Sequence, residues 1–250
     1  MLDKAKTLTG YKLQALDGGL GTVKDFYFDD HSWTIRYLVV DAGEWLLPRQ
    51  VLISPHALRD VTRPAQHIAV DLTKEKIEHS PSLNRDKPVS RQFEREYCLY
   101  FGMPMYWFER EITWALKRRK RGDPHLRSAQ EVTGYKIEAA DGEIGRVEDF
   151  LIDDETWAIR YLIIDTRRWL PGKRVLISPT WIKRIGWRHS QVVVGLRREA
   201  IEQSPEYSDE SLVTRDYEAA LHRHYDREGY WVDEPPTKTP GPATDHRSRL

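Results

Sequence analysis

The sequence predicts a mainly β protein with α extensions: two small β-barrels in tandem, each followed by short helices. Three observations lead there. Shifted by 124 residues, the chain lies on itself without a gap, so that GYKLQALDGGLGTVKDFYFDDHSWTIRYLVVD from Gly10 falls on GYKIEAADGEIGRVEDFLIDDETWAIRYLIID from Gly134. Between 10–81 and 134–205 roughly 32 of 72 positions are identical, far above chance. Within each copy, runs rich in Val, Ile, Tyr, Phe and Trp alternate with Gly and Asp punctuation, the pattern of short antiparallel strands. After those runs the period becomes helical.

The first copy's strands are expected at 10–16, 20–29, 33–41, 50–54, 57–63 and 66–72, and the second's at 134–140, 144–153, 157–165, 174–178, 181–187 and 190–196. Gly18 after Asp17, and Gly142 after Asp141, supply the turn between the first two strands, because Asp-Gly accepts positive φ cheaply. Six strands in so short a unit suggest closure into a barrel, which removes the exposed edges of a flat sheet. LTKEKIEHSP and LRREAIEQSP then read as short helices stopped at Ser-Pro. A second helix starts from the Ser90 or Thr214 cap and runs through RQFEREYCLYFG or RDYEAALHRHYD, and both copies finish on Tyr-Trp, at Tyr106–Trp107 and Tyr230–Trp231. The chain therefore divides into a module with its helical tail over 1–107, a basic linker helix over 108–127, a second such module over 128–232 and a Pro-rich disordered end over 233–250.

Composition bounds the function. Lys plus Arg and Asp plus Glu both total 39, so no global field steers nucleic acid or an acidic surface, and such binding would need a local patch. The lone Cys98 excludes an intrachain disulfide and a cysteine-built metal site, and reads as a buried reduced thiol. MLDKAKTLTG has no apolar core of signal length, and no stretch approaches a membrane span, so a cytoplasmic or at most membrane-peripheral protein is expected.

A Gly-Tyr opening, an Asp-Gly turn, a Gly-x-Val-x-Asp-Phe strand, an acidic hairpin, an Ile-Arg-Tyr-Leu strand and VLISP, all present twice, resemble the PRC-barrel domain. That family is named for the cytoplasmic part of the photosynthetic reaction-centre H subunit and recurs in the C-terminal half of the RimM-type ribosome maturation factor. The tail from Ser90-Arg91-x-Phe93-Glu94 to Tyr106-Trp107 is similar to the extension of free-standing bacterial tandem members. The resemblance implies a non-enzymatic scaffold without cofactor that docks on other proteins. Within this sequence no stretch reads as the membrane helix of the H subunit or as the separate N-terminal barrel of RimM, so neither is expected. A protein-interaction adaptor is therefore the first reading. An H-subunit-like peripheral component of a photosynthetic or electron-transfer complex, and a ribosome- or RNA-associated assembly factor, are the alternatives.

The residues themselves show no catalytic constellation. Asp29–Asp30 and Asp153–Asp154 sit between strands, where Asp bonds local backbone N–H groups, and no further carboxylate completes a calcium shell. His222 and His224 point to different sides of a helix, and the phosphate-loop, nucleophile-elbow and zinc-protease motifs are missing. A tight hairpin closing on Asp30–His31 would set Asp25 opposite Arg36, and Asp149 opposite Arg160, as cross-strand structural ion pairs. It would leave both faces of the hairpin apolar, one of them needing a cover from the tail, the other barrel or a partner. Candidate interaction residues are the aromatic pairs Tyr106, Trp107, Tyr230 and Trp231, and the linker cations Lys117, Arg118, Arg119, Lys120 and Arg121, suited to anionic lipid, RNA or acidic protein.

Overall fold

The computed structural model describes residues 1–43, 50–81, 89–107, 126–166, 173–209 and 212–232. The expected linker helix up to residue 125, with its cations at 117–121, and the end at 233–250 lie outside the described residues.

In the first half, β1 (Leu2–Lys4) and α1 (Ala5–Leu8) lead into β2 (Lys12–Ala15), β3 (Gly18–Asp29), β4 (Thr34–Asp41), β5 (Gln50–Ile53), β6 (Leu58–Thr62) and β7 (His67–Val70), followed by α2 (Lys74–Glu78) and α3 (Arg91–Phe101). The second half repeats the series with β8 (Leu126–Ser128), α4 (Ala129–Val132), β9 (Lys136–Ala139), β10 (Gly142–Asp153), β11 (Ile159–Asp165), β12 (Arg174–Ile177), β13 (Ile182–Gly186), β14 (Gln191–Val194), α5 (Arg198–Glu202) and α6 (Arg215–His224). Local chemistry sets the ends. Ser90 Oγ accepts the Phe93 N–H and Thr214 Oγ1 the Tyr217 N–H, capping α3 and α6. Gly102, left-handed at φ 67°, ends α3.

Both sheets have the same strand order, β5-β4-β3-β2-β7-β6 and β12-β11-β10-β9-β14-β13, and each is extended by a seventh strand. The expected closure by hydrogen bonding does not occur: among the described residues β5 does not pair with β6, nor β12 with β13. The reason is the short connection, where Ser54 and Ser178 cap a 3-10 turn and swing the chain away from the ladder. In the first half a tail residue fills the gap: Tyr97 Oη donates to Leu52 O at 2.9 Å and accepts from Ser54 N at 3.2 Å.

The seventh strand of each sheet comes from the other half. β1 pairs antiparallel with β10, Leu2 opposite Asp153, and β8 pairs with β3, Leu126 opposite Asp29. The two halves thus exchange strands reciprocally. The hairpin turns also meet, with Ile35 N donating to Trp157 O at 2.8 Å and Ile159 N to Trp33 O at 2.7 Å. Trp33 and Trp157 take positive φ at these turns, and Phe28 packs on Phe150 at 6.1 Å between ring centres.

The two-faced apolar hairpin is therefore covered from within. Tyr37 is buried under Tyr97 of α3, edge to face at 5.1 Å, while Phe28 is buried by the other half. Burying side chains of this size stabilises by about 1.5–3 kcal/mol each. No helix among the described residues is long and apolar enough to cross a membrane.

Candidate functional site

The expected register is corrected here. The turn between β3 and β4 is longer than a two-residue loop, and bulges after Val23 and Tyr27 shift the ladder, so Asp25 faces Val39 and Asp149 faces Ile163. Arg36 and Arg160 are not their partners. Instead each aspartate holds the exchanged segment. Asp25 accepts the Ser128 hydroxyl and the Gln130 N–H at 3.0 Å, and Asp149 accepts the Lys6 N–H at 3.2 Å. Burial pushes both carboxyls up, Asp149 to about 6, because the bound N–H groups only partly offset the loss of water. Sequence reasoning missed this role, although the repeat continues upstream: LDKAKTLTG over 2–10 and LRSAQEVTG over 126–134 share Leu, Ala, Thr and Gly.

The arginines belong to a second duplicated cluster. Arg36 lies over the Tyr106 ring at 3.8 Å and Arg160 over the Tyr230 ring at 3.8 Å. Tyr106 Oη donates to the buried Glu94 at 2.6 Å, and Tyr230 Oη to the buried Glu218 at 2.8 Å. Arg91 and Arg215 pair with these glutamates, each at 3.1 Å, and cover the Trp107 and Trp231 rings at 4.4 and 4.5 Å. Burial raises Glu94 to about 7 against the Tyr106 bond and Arg91. The aromatic pairs thus clamp each tail to its sheet, through Arg36 of β4 and Arg160 of β11. Trp107 is 6% exposed, whereas Tyr106, Tyr230 and Trp231 are half-buried. Tyr161 and His222 join the second cluster at 3.0 Å, and Cys98 is buried in the first.

The acidic doublets combine turn and junction chemistry. Asp29 accepts from His31 and Ser32, Asp153 from Glu155 and Thr156, and Asp153 also pairs with Arg160 at 2.9 Å. Burial alone would raise both carboxyls. The Ser32 and Thr156 N–H groups, with Arg36 and Arg160, outweigh it and hold them below the usual range. Asp30 pairs across the junction with Arg127 at 3.0 Å, and Asp154 with Arg63. Among the described residues, no three His, Cys, Asp or Glu side chains gather as metal ligands.

Two clefts open at this junction. One, of about 450 Å³, lies between β4, β6 and the 154–157 turn of the other half. The second, of about 480 Å³, lies at the equivalent place, between β11, β13 and the 30–33 turn. Each is walled by both halves, so neither half alone would form it.

The PRC-barrel domain matches residues 125–189, within the second half. The matched segment spans β9–β13 of the second sheet together with β8, which pairs with β3 of the first sheet, and the PRC-barrel fold is present in the chain. No curated protein matches it.

Proposed function

We propose that this chain is a tandem PRC-barrel protein, the first half being a second copy of the domain, and that it acts as a non-enzymatic protein-interaction adaptor. The tandem reading is supported by the gap-free internal repeat and by the identical strand order of the two sheets. The adaptor reading is carried by one observation: the reciprocal exchange of β1 and β8 holds the modules together around two repeat-related clefts that both modules wall. A concave surface at a module boundary is where binding sites concentrate. The hydrophobic faces of the hairpins contribute nothing to this reading, because α3, α6 and the partner module cover them.

Site-directed photocrosslinking in the protein's own cells tests it. A crosslinker at His56 or Thr180, in the cleft walls, should give discrete protein adducts, while one at exposed Lys136, outside both clefts, should not. Equal labelling from all positions would refute a cleft-directed adaptor.

A further inference from the structure

We propose that the second cleft is an anion site that takes a small phosphate-bearing molecule. The two clefts are built from the same positions of the repeat, yet their charges differ. In the first, Arg36, Arg59 and Arg63 are balanced by Asp60, Asp154 and Glu155. In the second, Arg160, Lys183 and Arg184 face Asp30 alone. The difference arises at three places. Arg184 stands where the first module has Asp60, His31 where the second has Glu155, and Trp187, at the position of Arg63, does not line the second cleft.

Internal pairing already uses part of this charge. Asp30 is held by Arg127 at 3.0 Å, and Arg160 by Asp153 at 2.9 Å. Lys183 and Arg184 remain, both exposed and with no ion-pair partner among the described residues. Adjacent residues of a regular strand point to opposite faces. Here the ladder between β13 and β14 slips between Ile182 and Arg184, and such a bulge lets two neighbours oppose one partner residue, so both cations line one cleft. An ammonium beside a guanidinium fork, with the Ser178 and Thr180 hydroxyls on the same wall, suits the several oxygens of a phosphate group.

The test uses the full chain and inorganic pyrophosphate, by titration calorimetry and backbone amide shifts. Saturable one-to-one binding is expected, with the shifts centred on Ser178–Ile185 and the 30–33 turn. Arg184→Asp, which installs the first cleft's acid on an exposed position, should weaken binding by about tenfold or more with an unchanged melting temperature. Lys183→Ser should weaken it less. Absence of saturation up to about 10 mM would overturn the proposal. So would undiminished binding by Arg184→Asp, or shifts spread over the basic surface, either of which marks non-specific charge attraction.

Discussion

The Asp25 carboxylate accepts the Gln130 backbone N–H at 3.0 Å, from the first turn of a helix in the other half of the chain, and the equivalent positions reproduce the bond as Asp149 accepting from Lys6 at 3.2 Å. Each aspartate also accepts the N–H of the next residue, Phe26 or Phe150. Asp25→Ala or Asp149→Ala therefore removes the acceptor of two N–H groups at a covered junction and should cost about 1–3 kcal/mol in urea unfolding. The amides of Leu2–Lys4 and Leu126–Ser128 should lose hydrogen-exchange protection in the matching variant. Unchanged protection there would show that the strands exchange without help from the carboxylates.

Acidity gives an independent check. Burial raises Asp149 to about 6 and Glu94 to about 7 in the folded protein. A carboxyl raised on folding contributes stability that is full below its unfolded pKa and is lost as pH rises through its folded value. Stability should thus increase as pH falls from about 7.5 to about 5, then decline below about 4 as Asp29 and Asp153, held below the usual range, take up protons. Asp149→Asn should flatten the lower part of the rise and Glu94→Gln the upper part in melting curves. A wild-type melting temperature that falls steadily from pH 7.5 to about 5 would contradict the assignment.

Most of the ladder was legible because the strand signal is local. Alternation and Asp-Gly turns located all twelve strands within the two repeats to within a few residues. Pairing register was not legible, since it depends on the bulges after Val23 and Tyr27, which shift the ladder without changing the alternation either side. The strands β1 and β8 were missed because three residues carry no periodicity, and only their agreement across the repeat marks them. The Arg-Glu-Tyr-Trp clamp was half visible. Its residues recur in both tails, but the stacking of Arg36 on Tyr106 joins positions far apart in sequence.

Glycine supplies a sharper test of the repeat. Gly21 and Gly145 lie at φ 151° and 155°, and an added Cβ would overlap the carbonyl oxygen of Asp41 or Asp165 on the neighbouring strand. Backbone cannot yield as a side chain tip can. Gly21→Ala and Gly145→Ala should each cost about 2–4 kcal/mol, whereas Gly43→Ala, left-handed but in open space, should cost about 1–2 kcal/mol. Denaturant unfolding of the three variants gives the comparison, and equal losses at all three would remove the clash as the cause.

The clamps separate folding from availability to a partner. Trp107 is buried, is covered by Arg91 and meets Tyr106 edge to face at 4.8 Å, so Trp107→Ala should cost about 3–5 kcal/mol. Trp231 makes the equivalent contacts with Arg215 and Tyr230 but keeps part of its ring in solvent, so the same truncation should cost about half as much. Tyr106→Phe deletes the bond donated to the buried Glu94 and the one accepted from Arg91, and should cost about 1–3 kcal/mol. The decisive comparison is Trp231→Ala in urea unfolding. A measurable loss places the ring in the fold of the second half; unchanged stability, together with loss of the cleft adducts from Thr180, would instead place it in the partner-binding surface.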